Sequence, residues 1–323
     1  MKHVLITACA LGMALSSPLP LHAEEWPARP IRIVVNAAPG GVADRAMRVI
    51  APHLHATLGQ PVVVENRPGG EGYIGQQEVA RAKPDGQTFL FSAGSMVVIT
   101  PQLIPRSDFD PRKALTPIAP AVRIPMNLVV HPSVPVDSAA AFVKYAKENP
   151  GTLNYGSAGS GTALHLAAET FSRETGIRMN HVPYKGAGDA LKDLLGGHFQ
   201  VMFDPGIALP HVKAGRLKLL AVAASQRLAE FPNVPTMEEV GIKGVDGGPY
   251  FGMFAPNGLK PEIKERLNAA VAAALASPEA GKQLTTMSLE IAPRMSADAF
   301  GSYMRKESDH YARLLPELGI RGQ

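Results

Sequence analysis

The sequence predicts a two-lobed α/β protein. Short apolar runs alternate with helical runs across glycine-rich turns, and the alternation comes in two series, the second starting near Met126. Beyond Phe254 the chain becomes mostly helical. Strand–helix alternation favours a parallel sheet covered by helices. The size suits two such units: a chain of 323 residues buries about 75% of the surface its unfolded form exposes, enough for one large domain or two modest ones.

In the first series, residues 31–35 form an apolar run broken only by Arg32, as in a strand buried on both faces. Asn36-Ala37-Ala38-Pro39-Gly40-Gly41 turns the chain. Ala46, Val49, Ile50, Leu54 and Leu58 then follow helical spacing up to Gly59, a natural stop. Residues 62–64 and 89–91 read as two more strands, with a helix over 76–82 between them. The second series has strands at 128–130, 153–155, 181–184, 201–203 and 217–223. Helices fall between them at 139–147, 163–175, 187–195 and 207–214. A strand at 250–254 precedes helices at 261–275, 278–287 and 297–315. Periodicity alone does not say which lobe these last helices join.

The start of the chain reads as a leader. Met1-Lys2-His3 precedes an apolar stretch from Val4 to Leu15, and Leu21-His22-Ala23 offers a cut after Ala23, although Leu21 is larger than the residue favoured there. The stretch is shorter than the roughly 20 residues a membrane span needs. Export would remove residues 1–23, and with them Cys9, one lysine and no acid. The net charge then falls from +4 to +3 and no cysteine remains. A single cysteine already excludes a disulfide framework and Cys-rich metal sites. So small a charge, with 6% aromatic residues, argues against a nucleic-acid partner.

In open α/β sheets, ligands collect beyond the carboxyl ends of the strands. The loops there are 38–44, 92–95, 156–162, 185–189 and 204–206, rich in Gly, Ser, Ala and Thr. Tyr155-Gly156-Ser157-Ala158-Gly159-Ser160-Gly161-Thr162 follows a strand and opens a helix, so free N–H groups and the positive helix end suit a carboxylate or phosphate. Ser157, Ser160 and Thr162 add hydroxyls. Helix capping by Ser160 or Thr162 is the plainer alternative, and these residues alone leave both open. Pro39-Gly40-Gly41-Val42-Ala43-Asp44 repeats the geometry in the first lobe. There Asp44 either answers the helix macrodipole or orients the loop.

Enzyme motifs are weak. Gly70-Glu71-Gly72-Tyr73-Ile74-Gly75 spells G-x-G-x-x-G, but the following strand ends Phe91-Ser92-Ala93-Gly94 without the acid a dinucleotide site wants. No G-x-S-x-G elbow, Walker loop or H-E-x-x-H occurs, and no cofactor is expected. His165 and Glu169 share a helix face, a pattern more often structural than metal-binding. Lys185 lies in a glycine loop with nothing nearby in sequence to mark it as catalytic.

Taken in order, the loops resemble those of the Bug-type periplasmic receptors of tripartite tricarboxylate transporters. The likeness rests on residues 30–35 leading to Pro39-Gly40-Gly41 with Asp44, on 59–69, on Pro84-Asp85-Gly86 and on 153–159. It continues through His165-Leu166-Ala167, His181-Val182-Pro183-Tyr184-Lys185-Gly186, 193–197 and Val201-Met202-Phe203-Asp204. The resemblance implies a type II-like periplasmic-binding-protein fold, with a ligand cleft between two α/β domains joined by two crossings. Residues 24–124 and 249–323 would form the first domain and 125–248 the second, placing the C-terminal helices on the first lobe. It further implies a non-catalytic, monomeric receptor that passes a small carboxylate to membrane permease subunits. Ala38, Gly40, Gly41 and Asp44 would grip the ligand from one lobe, and Ser157, Ala158, Gly159, Ser160, Thr162, His165, Tyr184 and Asp204 from the other.

Two departures stand out: Asn36-Ala37 where the family carries proline and an aromatic residue, and Asp189 where proline is common. The lost ring suggests a bulkier ligand, such as an aromatic dicarboxylate like terephthalate. The rival readings are an exported hydrolase or isomerase, using Ser157 or Ser160 with His165, and a ligand sensor for a membrane kinase.

Overall fold

The computed structural model describes residues 26–245 and 248–320. The expected leader and its cut after Ala23 lie outside the described residues. The chain starts with β1 (Ile31–Val35), α1 (Val42–Leu58), β2 (Val62–Asn66), α2 (Tyr73–Ala80) and β3 (Thr88–Ser92). Three short helices, α3 (Gly94–Val98), α4 (Thr100–Leu103) and α5 (Pro111–Ala114), lead into β4 (Leu115–Arg123). The second series follows as β5 (Met126–Val130), α6 (Ala139–Glu148), β6 (Asn154–Ser157), α7 (Ala163–Thr175), β7 (Asn180–Pro183), α8 (Ala187–Leu195), β8 (Val201–Asp204), α9 (Leu209–Lys213) and β9 (Lys218–Ala223). The chain closes with β10 (Phe251–Pro256), α10 (Pro261–Ala276), α11 (Pro278–Thr286), β11 (Glu290–Ile291) and α12 (Ala297–Glu317).

Two sheets result, a six-stranded one ordered β11-β4-β10-β3-β1-β2 and a five-stranded one ordered β7-β6-β8-β5-β9. Parallel pairing, which the alternation favours, holds for β1 with β2 and β3 and for β6 with β7 and β8, but both sheets are mixed. β10 runs antiparallel to β3 and β4, and β5 antiparallel to β8 and β9. The cause is topological, because each of these strands begins where the chain crosses from the other lobe. A strand that starts at the crossing must run away from it, whereas its neighbours run towards it. The register agrees: Gly252 lies opposite Ser92 at the end of β3, and Asn127 opposite Asp204 at the end of β8. The two sheets therefore meet at the carboxyl ends of β3 and β8.

The sequence pattern gives no element between residues 92 and 125, yet β4 is the longest strand. Pro117 and Pro120 disguise it, since proline ordinarily argues against a strand interior. Their place is tolerable because β11 pairs only with Val122 and Arg123, so one side of β4 is open along the prolines.

Apolar clusters cover both faces of the first sheet. Ile33, Phe89, Phe91 and Leu267 pack on one face, and Val34, Leu90, Phe254 and Phe300 on the other. Phe142, Phe171, Phe203 and Leu194 anchor the second lobe. Each such buried side chain contributes about 1.5–3 kcal/mol. α10 packs on α1 and β4, and α12 on β4 and α3. Beside the crossings, Arg123 holds Glu290 through two hydrogen bonds of 2.8 and 3.1 Å, and its guanidinium lies 4.7 Å from the Tyr250 ring centre. Glu290 also accepts from the Ser225 N–H of the other lobe at 3.3 Å. No helix among the described residues is long and apolar enough to cross a membrane.

Candidate ligand cleft

The first-lobe loop leaves β1 and enters α1 under the control of one carboxylate. Asp44, in the first turn of α1, is 3% exposed. It accepts from the Gly40 N–H at 2.8 Å and from Arg48 Nε at 2.9 Å. Burial works to raise its pKa. The Gly40 N–H, the Asn66 side chain and Arg48 outweigh that and hold the carboxyl below its ordinary range. Asn66 also donates to the Ala37 carbonyl, and the Gly41 N–H donates to that of Ala38, so β2 and the turn itself fix the loop. Ala38 and Gly40 are exposed and Gly41 half-buried.

The second-lobe loop is held without any charge. The buried Ser157 hydroxyl accepts from the Gly159 N–H at 3.1 Å and lies 2.7 Å from His181 Nε2. Thr162 donates its hydroxyl to the Gly159 carbonyl at 2.7 Å. The Gly161 N–H donates to His165 Nδ1 at 2.9 Å. Capping by Thr162 is thereby corrected: it is the N-cap residue of α7 but makes no side-chain cap, because its hydroxyl turns back into the loop. The N–H groups of the first turn of α7 thus carry no side-chain cap. The structure leaves Ser160 exposed and Ala158 half-buried against the second-lobe core.

Behind this loop stands a column of rings. His165 stacks on His181 with centroids 3.9 Å apart, and His181 on Tyr155 at 4.9 Å. The Tyr155 hydroxyl donates to Glu169. The shared helix face of His165 and Glu169 is therefore structural. Burial, with His181 adding repulsion, lowers the His165 pKa to about 4, and burial lowers that of His181 too. Both rings are neutral at pH 7.

Three expected residues spend their polar atoms inside the second lobe. The Tyr184 hydroxyl donates to Asp193 at 2.8 Å, and burial together with that carboxylate pushes its pKa up to about 12. Asp204 accepts from the Gly206 and Ala208 N–H groups at 2.7 and 3.0 Å. Burial nevertheless pushes its carboxyl up to about 7. Ser157, fully buried, shapes the loop from within. Asp189 points outward and pairs with Lys192 at 3.1 Å. Asn36 does not open space: it is 2% exposed and donates to the Gly72 carbonyl. A Cβ on Gly75 would sit 2.8 Å from Asn36 Cβ and one on Gly72 2.7 Å from Asn36 Nδ2, so these two glycines of the G-x-G-x-x-G stretch make room for this side chain.

Between the lobes lies a cavity of about 350 Å³, within the roughly 300–1,000 Å³ of small-molecule sites. Ser160, Gly161 and Thr162 line it from the second lobe, and Ser95, Met96 and Thr100 from the first. α12 contributes His310 and Tyr311. Among the described lining residues Glu71 is the carboxylate, and there is no lysine or arginine. An anion here would be met by N–H and hydroxyl groups. Of the expected residues the structure brings Ser160 and Thr162 to this cavity, whereas Ala38, Gly40, Gly41 and Asp44 are not among its walls. Sequence reasoning missed Thr100, His310 and Tyr311. Ser95 did carry a signal, lying in a loop at the carboxyl end of β3. His310 and Tyr311 carried none, being two positions in a long helix. Among the described residues no three His, Cys, Asp or Glu side chains gather as metal ligands.

Residues 46–320 match the family described as the tripartite tricarboxylate transporter family receptor. The chain is 38% identical over 261 residues to protein BugT of Bordetella pertussis, covering 80% of each. The periplasmic binding protein BugD superposes with a TM-score of 0.70 at 30% identity, over 92% of this chain and all of that one. A Rhodopseudomonas palustris protein solved with adipate gives 0.73 at 31% identity, over 93% of this chain and all of that one. The chain belongs to the tripartite tricarboxylate transporter receptor family, whose members are periplasmic solute-binding proteins and not enzymes.

Proposed function

We propose that this receptor binds a dicarboxylate between its lobes and delivers it to the permease subunits of a tripartite transporter. The observation that carries the reading is the uncapped start of α7 facing a cavity walled by hydroxyl groups. One ligand carboxylate takes the N–H groups of that first turn, a geometry made for anions. The adipate bound by the R. palustris protein supports the ligand class. Closure brings the Ala38–Gly41 loop onto the ligand by hinge motion near residues 124–125 and 248. In this reading residues 24–124 and 249–323 form one domain, 125–248 the other, the chain is exported after cleavage at Ala23, and it acts as a monomer.

The apolar walls of Met96, Leu103 and Leu166 support a spacer bulkier than a short aliphatic chain, as in terephthalate. Two clamped carboxylate contacts with burial give micromolar affinity, about 8 kcal/mol. A thermal-shift panel of mono- and dicarboxylates on the mature chain tests the proposal. Stabilisation by aromatic diacids supports it in full. Stabilisation by succinate-sized acids alone removes the aromatic spacer, and no response to any carboxylate removes the ligand class.

A further inference from the structure

The two loops share one hydrogen bond made by two different residues. In the first lobe the Gly40 N–H donates to Asp44, four residues on, at 2.8 Å; in the second the Gly161 N–H donates to His165, four residues on, at 2.9 Å. Each acceptor is the third residue after its N-cap, Gly41 or Thr162, and each glycine has a positive φ, +77° and +80°. The position is the same, and the charge differs.

We propose that His165 is the positioning residue of the ligand site: it does for the second loop what Asp44 does for the first, but as an uncharged acceptor that leaves the start of α7 free for a carboxylate. The inference rests on the dicarboxylate reading and adds which residue shapes the second loop while keeping the helix start free for the anion. A carboxylate at position 165 would satisfy the Gly161 N–H equally well while occupying the positive end of the helix with the protein's own charge. The first loop is in that state, with Asp44 beside its helix start. Asp44 is itself answered by Arg48 at 2.9 Å, whereas the start of α7 carries no charge of the protein's own and stays open to the ligand's carboxylate.

The neutral form is enforced by the surroundings. Since Gly161 donates to Nδ1, the proton of a neutral ring lies on Nε2. The titratable groups that face the ring are His181 from β7, stacked at 3.9 Å, and Tyr155 from β6, at 6.2 Å. Glu169, one turn further along α7, is held by the Tyr155 hydroxyl. A proton on Nδ1 would break the Gly161 bond and place charge against His181.

The test compares His165→Asn, His165→Asp and His165→Leu with the wild-type chain. One arm follows amide exchange at Gly161 by NMR without ligand, and the other measures adipate affinity by calorimetry at pH 7.5. Asn presents a neutral oxygen near the Nδ1 position. It should keep Gly161 protected and hold affinity within about threefold. Asp should keep Gly161 protected but weaken adipate at least thirtyfold. Leu should abolish the protection and weaken adipate at least tenfold. Wild-type affinity in the Asp variant overturns the role of neutrality, and wild-type affinity in the Leu variant overturns positioning altogether. If the wild-type chain binds neither adipate nor terephthalate while Gly161 behaves as stated, positioning is upheld and the dicarboxylate reading alone fails.

Discussion

The Ala38–Asp44 and Ser157–His165 segments are both a strand end, a glycine turn and a helix start, yet the structure tunes them in opposite directions. The first is closed on itself by charge: Asp44 takes the Gly40 N–H and pairs with Arg48, and Asn66 braces the turn from β2. The second is held only by hydroxyls and imidazoles, packed as a column on Tyr155. At the first helix start the acid and Arg48 already answer each other, whereas a start shaped by neutral groups keeps its full attraction for an anion. Loop geometry alone does not identify a binding loop; what has already been spent on its N–H groups does.

The sharpest way to break this contrast is to fill the open helix start. Thr162→Trp places an indole at a cavity wall and should weaken adipate more than a thousandfold, about 4 kcal/mol. Calorimetry reads the loss, and an unchanged circular dichroism spectrum shows that the fold survives.

Acid comes next, because the two acceptors titrate in different windows. His165 has its pKa depressed from 6.5 to about 4. The unfolded chain therefore takes up a proton below pH 6.5 that the folded chain refuses, and stability falls as pH drops through that window. A shift of this size corresponds to about 3 kcal/mol at full development. Asp44, held below its ordinary 3.8, contributes above that value and loses its contribution only below it. Asp204, with its raised pKa, works in the opposite sense in both chains, so denaturant titrations are read as a difference: between pH 7 and 4 the wild-type chain should lose stability relative to His165→Asn. Equal slopes would contradict the assignment.

A smaller effect follows from Asp44→Asn. Replacing charge-assisted bonds to Gly40 and Arg48 with neutral ones should cost about 1–2 kcal/mol of stability by urea unfolding. Asp189→Ala should be smallest, under about 0.5 kcal/mol and within twofold in affinity, since its pair with Lys192 is exposed.

Much of this was readable from residue order. The helices at 163–175 and 187–195 fall where apolar spacing puts them, and the loops at the strand ends were recognisable from Gly and Ser alone. β4 was hidden by Pro117 and Pro120, whose tolerance depends on the short reach of β11. The antiparallel strands were hidden because strand direction follows from where the chain crosses between lobes. Within the site, Ser160 and Thr162 were legible as loop residues. His181 was not, because its contact with Ser157 joins positions 24 apart in sequence. His310 and Tyr311 reach the cavity only through the docking of α12.

A crystal structure of the mature chain with adipate tests the central claim most directly. The account predicts a carboxylate group within about 3 Å of the N–H groups at the start of α7, with Gly161 still bonded to His165. A carboxylate seated instead on the Gly40–Gly41 loop, with the start of α7 left to solvent, would contradict it.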